Sequence, residues 1–225
     1  MSTLYGNTGD GVIATGNEAS WDAARDKTSG TVDTNNTADV PLIFRSSGRG
    51  GTTYKISRIF MYFDTSSITD TVSEATLKLH WSANTESYIV MKSTAFGGDG
   101  GTALHGDDFN NVTWGTAYSA EITNNGSAEY QDYTLNAAAL SDIKDDDVLI
   151  IAIVHHDYDY SDSAPGSDVN INTTMATSDY SGTSRDPYID YTVVSGYAND
   201  VIGVATGNIG KVIGVATANI EKVIV

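Results

Sequence analysis

Two neighbouring segments with a two-residue period constrain this chain more than anything else in it. In "YKISRIFMYFD" (54–64), Ile56, Arg58, Phe60 and Tyr62 fall on one side and Ile59, Met61 and Phe63 on the other. Both sides are largely apolar, which predicts a strand covered on both faces. In "EATLKLHWS" (74–82), Ala75, Leu77, Leu79 and Trp81 face one way, while Thr76, Lys78 and His80 face the other. That clean alternation predicts a half-buried strand. "ESYIVMKST", "AEYQDYTL" and "DPYIDYTVV" read as further strands, and "DDDVLIIAIVHH" (145–156) carries an unbroken apolar run from Val148 to Val154. The segments "FGGDGGTALHGDDFNN" and "DYSDSAPGSD" read as loops, and "LNAAALSDIKDDD" has room for one short helix. With 22 Gly, 13 Tyr and only 3 Pro, the composition favours strands and turns over helices. The expectation is an all-β protein, a jelly-roll-like β-sandwich over residues 1–194 followed by a short repeat tail at 195–225.

Charge divides the chain at the same boundary. The sequence holds 12 Lys+Arg against 29 Asp+Glu, a formal net charge of -17. A chain this acidic lacks the basic surface that nucleic-acid binding needs, so no nucleic-acid partner is expected. The tail's charges are Asp200, Lys211, Glu221 and Lys222, which cancel, so the whole excess lies on the first 194 residues. There is no cysteine, hence no disulfide and no thiolate chemistry. The N-terminal stretch has neither a basic nor an apolar signal region, and no run reaches the roughly 18 apolar residues of a membrane span. Folding in a cytoplasm and no membrane span are the expectations.

The tail is a repeat. VIGVATGNIGK (201–211) and VIGVATANIEK (212–222) match at 9 of 11 positions, differing at Gly207/Ala218 and Gly210/Glu221. An 11-residue period would alternate faces in a strand but makes about three turns of helix, with one apolar side. That side holds Val201, Ile202, Val204, Ile209, Val212, Ile213, Val215, Ile220, Val223 and Ile224. Glycine and β-branched residues cost a helix roughly 0.5–1 kcal/mol each, so helical turns here need a partner. Docking on another subunit or on symmetry copies is the expectation, against packing back on its own sandwich.

The acidic loop "HHDYDYSDSAPGSD" (155–168) is the densest group of potential ligands. Asp157, Asp159 and Asp162 offer the hard oxygens that a structural Ca²⁺ needs, but no glycine turns the loop and no glutamate closes it. A solvated acidic loop is the favoured alternative. For a glycan, Tyr158, Tyr160, Tyr180 and Trp21 are the aromatic candidates, whereas Trp81 and Trp114 read as core. His155 and His156 point to opposite faces and read as strand-end histidines. Arg58, inside an apolar strand, requires a carboxylate or carbonyl partner. No nucleophile elbow, zinc helix or phosphate loop occurs, and catalysis is not expected.

Within "YKISRIFMYFDTSSITDTVSEATLKLHWS", Phe60 to Leu79 resembles the signature of DNRLRE-type and related carbohydrate-binding-module-like β-sandwich domains, in which an Arg, an apolar strand, Phe-Asp, a Ser-rich turn and an "ATL.L" strand succeed one another. "GDGVI", "SWDAAR", "VTWG" and "RDPYIDYTV" keep that family's order, so the resemblance covers residues 5–194. It implies a jelly-roll sandwich without catalysis, of a kind found in polysaccharide-degrading enzymes, surface proteins and bacteriophage virion proteins. The tail "VIGVATANIEKVI" is similar to repeats that end bacteriophage structural proteins. Together they imply a virion structural protein: a head-decoration, fibre or tail-associated subunit. It would be homo-oligomeric, joined to other virion subunits through the tail, with cell-surface glycan as a further partner. The alternative is a free or enzyme-linked carbohydrate-binding module.

Overall fold

The computed structural model describes residues 1–34, 43–179 and 182–194, and the backbone at 211–212 and 215–216. The chain is all-β, with two antiparallel sheets facing each other. It runs through β1 (Ser2–Tyr5), β2 (Gly11–Ala14), helix α1 (Trp21–Arg25), β3 (Thr31–Asp33), β4 (Ile43–Gly48) and β5 (Gly51–Asp64). Then come β6 (Thr71–His80), β7 (Ser87–Ser93), β8 (Val112–Ala117), β9 (Ile122–Thr123) and β10 (Tyr130–Thr134). Helix α2 (Ala137–Asp145), β11 (Val148–His155), β12 (Val169–Ile171) and β13 (Tyr188–Val194) complete the two facing sheets and their connections.

The smaller sheet has the order β1-β13-β6-β10 and the larger β12-β4-β5-β11-β7-β8, with β2 also pairing β5. From β5 onward the chain passes from the larger sheet to the smaller and back repeatedly, which gives the jelly-roll-like character. The 14-residue β5 is the spine: its first half pairs β4, Ser57–Phe60 pairs β2, and Ile59–Asp64 pairs β11.

Two cores lie on opposite faces of the larger sheet. Between the sheets, Leu77, Leu79 and Ile189 meet Ile59, Met61, Phe63, Leu149 and Ile151, with Trp81 stacked on Tyr88 at 4.2 Å. On the outer face, Phe60, Met91, Ile150, Ala152 and Val154 are covered by Trp21, Phe96, Leu104 and Phe109. This is why β5 and β11 are apolar on both sides. A fully buried side chain of this size contributes about 1.5–3 kcal/mol.

Two expectations change here. "FGGDGGTALHGDDFNN" is a lid on the second core, built from the 3-10 turns Phe96–Gly98 and Gly106–Asn110. Gly106 is required where this lid touches the β2–β3 region: a Cβ there would lie 2.5 Å from the Gly30 carbonyl oxygen. "SWDAAR" forms the extra helix α1, capped by Ser20, whose Oγ accepts from the Ala23 N–H at 3.2 Å. Helix α2 stands where the sequence placed its short helix, with Asn136 as the cap.

In the tail, Lys211–Val212 pairs antiparallel with Val215–Ala216. The 11-residue period favours helical turns at these positions; there the β-branched residues take their preferred extended backbone instead. The other docking residues, Val201, Ile202, Val204, Ile209, Ile213, Ile220, Val223 and Ile224, lie outside the described residues.

Candidate functional site

Strand β11 ends at His155, and His156–Tyr160 forms a single π-helical turn. That turn carries Asp159 inward to Arg58, and both side chains are wholly buried. Arg58 Nε donates to Asp159 Oδ2 at 2.8 Å and Nη2 to Oδ1 at 2.9 Å. Its remaining donors reach the carbonyls of Phe109 and Arg25, each at 2.8 Å, and its plane packs over Phe109 and Trp114. The required partner of Arg58 is thus a carboxylate 101 residues away. Arg25 packs over Trp114 as well, donates to the Asp159 carbonyl at 2.9 Å and sits 3.3 Å from Asp162.

This arrangement does not bring Asp157, Asp159 and Asp162 together around an ion. The Asp159 carboxylate is committed to Arg58, Asp162 accepts from Trp21 Nε1 at 3.2 Å, and Asp157 turns to His156 at 3.0 Å. A guanidinium fork satisfies the acid that the loop's sequence offers as a Ca²⁺ ligand. Among the described residues, the histidine and carboxylate atoms that do cluster are those of Glu121, His156 and Asp157. His156 Nδ1 lies 3.4 Å from Glu121 and 3.0 Å from Asp157, an outward group that His156 itself ties together.

The aromatic candidates move inward. Trp21 is 6% exposed and edge-on to Tyr54, a core anchor rather than a sugar platform. Tyr158 and Tyr160 are half-buried against the second core, with Tyr158 against His155 and Tyr160 stacked on His156. Their rings are not free, because the π turn folds them back over the sheet. Tyr180 lies outside the described residues.

The outer face of the smaller sheet carries what the loop reading missed. Cross-strand register sets Tyr5 beside Tyr188, Tyr188 beside Lys78, and Tyr130 beside His80. Ring centroids follow at 5.7 Å (Tyr5–Tyr188), 5.2 Å (Tyr188–Tyr130) and 5.2 Å (Tyr130–His80). Tyr5 is 49% exposed. Beside the row, Lys78 donates to Asp132 at 2.6 Å and Thr3 to Asp190 at 2.7 Å. Burial pushes the Tyr130 phenol up to about 12, and burial with the nearby Arg185 charge lowers His80. Tyr130 and His80 are therefore neutral near pH 7. Interplanar angles of 47°, 70° and 85° tilt successive rings against one another, so the row is a ridge and not a flat platform. The signal was present in the sequence: outward positions of the alternating strands include Tyr130 and Tyr188, but register alone brings them together.

A cleft of about 560 Å³ opens between β7 and the end of α2, lined by Lys92, Tyr118, Asp145, Asp146 and Asp147. Lys92 reaches Asp142 at 2.8 Å, and Tyr118 donates to the same carboxylate. Asp145 ends α2, and Asp146 and Asp147 make the short polar connection into β11. No protein-family model matches this sequence, and no curated protein is significantly similar to it.

Proposed function

We propose that this chain is a non-enzymatic bacteriophage virion protein, a head-decoration, fibre or tail-associated subunit that displays its sandwich and attaches through residues 195–225. One observation carries the reading: the entire net charge of -17 lies on residues 1–194, while an apolar 11-residue repeat of zero net charge follows. Strong like charge keeps displayed sandwiches apart, and a neutral apolar segment gains by burial on a partner. The similarity of "VIGVATANIEKVI" to repeats of phage structural proteins supplies the setting. Incorporation into particles tests it. A chain lacking residues 195–225 should fold and stay out of the particle; normal incorporation overturns the reading.

A second reading, a free or enzyme-linked carbohydrate-binding module, is favoured by the row of Tyr5, Tyr188, Tyr130 and His80. Surface rings, here one exposed and three half-buried, flanked by carboxylates are what sugar binding uses. The two readings separate on the tail, for which a free module has no use.

A further inference from the structure

We propose that Asp10, Thr177 and Asp186 form a binding site for one calcium ion where the N-terminal loop meets the approach to β13. These residues lie apart from the acidic loop after β11, and Asp10 precedes Thr177 by 167 positions and Asp186 by 176. Asp10, Thr177 and Asp186 are 0%, 2% and 7% exposed. Each has a buried side-chain oxygen without a hydrogen-bond partner: Asp10 Oδ1, Thr177 Oγ1 and Asp186 Oδ1. A buried oxygen left without a partner is costly, and oxygens so left on three segments that meet call for a ligand to satisfy them.

The contacts around them put the three segments together. Ser178 donates its N–H to Asp10 Oδ2 at 3.0 Å, and its Oγ lies 2.7 Å from the same oxygen and 2.8 Å from the Asn7 carbonyl oxygen. Gly6 donates its N–H to the Pro187 carbonyl at 2.9 Å. A Cβ placed on Gly6 would lie 3.3 Å from Ser178 Oγ and 3.5 Å from that carbonyl oxygen, so Gly6 marks where Asp10, Thr177–Ser178 and Asp186–Pro187 converge. Tyr130 Oη holds the same junction from the other side, donating to the Asp186 carbonyl at 3.0 Å. One oxygen of Asp10 is thus held by Ser178 while the other is left for a ligand.

Chemistry selects the ion. The donors are carboxylate and hydroxyl oxygens with no nitrogen or sulfur, which favours a hard cation over zinc or copper. A neutral hydroxyl beside two acids on separate backbone segments suits the irregular oxygen shell of Ca²⁺ better than the strict octahedron of Mg²⁺. The electrostatics agree: burial and the charges of Asp179 and Asp186 raise Asp10 to about 6, and burial with Asp179 raises Asp186. A divalent cation reverses that repulsion.

Calcium titration of the chelator-stripped full chain, read by calorimetry, elemental analysis and thermal melting, tests this. One equivalent should bind, and Tm should rise by about 5–10 °C at a hundredfold excess over Kd, with a smaller response to Mg²⁺. Asp10→Asn and Asp186→Asn should each abolish the shift. Should either fail to fold, Thr177→Val, which leaves the charge unchanged, should weaken binding by about tenfold, the loss of one ligand bond. The double variant Glu121→Gln/His156→Ala should keep the full response, since its residues belong to the separate outward cluster. Absence of binding and of a Tm shift would mean that water or a proton satisfies these oxygens, and would overturn the site. A shift that survives both aspartate substitutions, or a stronger response to Mg²⁺, would overturn it equally.

Discussion

A guanidinium carried into the interior at position 58 has to be answered by an acid, and Asp159 answers it with both oxygens. Removing one member leaves the other as a buried, uncompensated charge, so Arg58→Met and Asp159→Ala should each lose about 3–5 kcal/mol in urea unfolding. Arg58→Lys should recover little, because one ammonium cannot serve two carboxylate oxygens and the carbonyls of Arg25 and Phe109 together. An Asp159→Ala variant of unchanged stability would show that the pair does not hold the turn. His155 makes a second prediction. It is 1% exposed, with Nε2 at 3.2 Å from Glu86, and burial lowers its pKa below the ordinary 6.5. The unfolded chain therefore takes up a proton at this position before the folded one does. Its contribution to stability is complete above about pH 6.5 and is lost as pH falls through that value towards the folded pKa. His155→Gln should flatten the fall in Tm below about pH 6.5, and His80→Gln, at a half-buried histidine whose pKa is also lowered, should act in the same direction. An equal slope in wild type and His155→Gln would contradict the assignment.

The elements differ in how far the sequence discloses them. The alternation of Ala75, Leu77, Leu79 and Trp81 against Lys78 and His80 is local, and β6 presents those faces. The unbroken run of β11 announces cover on both faces, which the two cores supply. The turn after β11 is a different case. Polar letters mark it as solvated, yet Asp159 is drawn inward by a partner 101 residues away, and no local pattern encodes that pairing. The lid between β7 and β8 hides for a related reason: glycines dominate its composition, while Phe96, Leu104 and Phe109 decide its place. Because the π turn lays Tyr158 and Tyr160 on the second core, replacing both with Ala should cost about 1–3 kcal/mol and lower Tm, more than two surface changes would. An unaltered melt would return these rings to solvent. On the opposite side, Tyr5→Ala/Tyr188→Ala should cost under about 1 kcal/mol, as an outward cross-strand pair. A glycan array should then lose about tenfold in signal, the equivalent of two ring contacts. Tyr130 is left in place in this variant because its hydroxyl braces the Asp186 carbonyl. If wild type and variant bind glycans alike, the row is not a recognition surface.

Across the whole molecule, charge and apolarity are separated along the chain. The sandwich ends with β13 at Val194, and its partners in the sheet, β1 and β6, come from the other end and the middle of the chain, so the fold closes on itself before the repeat begins. Both cores are built from residues up to Val194, so residues 1–194 are expected to fold by themselves, and an apolar repeat gains stability only where it finds a surface to cover. On the proposed reading, the acidity of the folded part opposes association through its other faces and the repeat is the route to assembly. Light scattering coupled to size-exclusion chromatography, applied to the full chain and to residues 1–194, tests this division most directly. The account predicts an oligomer for the full chain and, for residues 1–194, a monomer whose thermal melt matches that of the full chain. A full chain that is monomeric, or a shortened chain that stays oligomeric or unfolds, would contradict it.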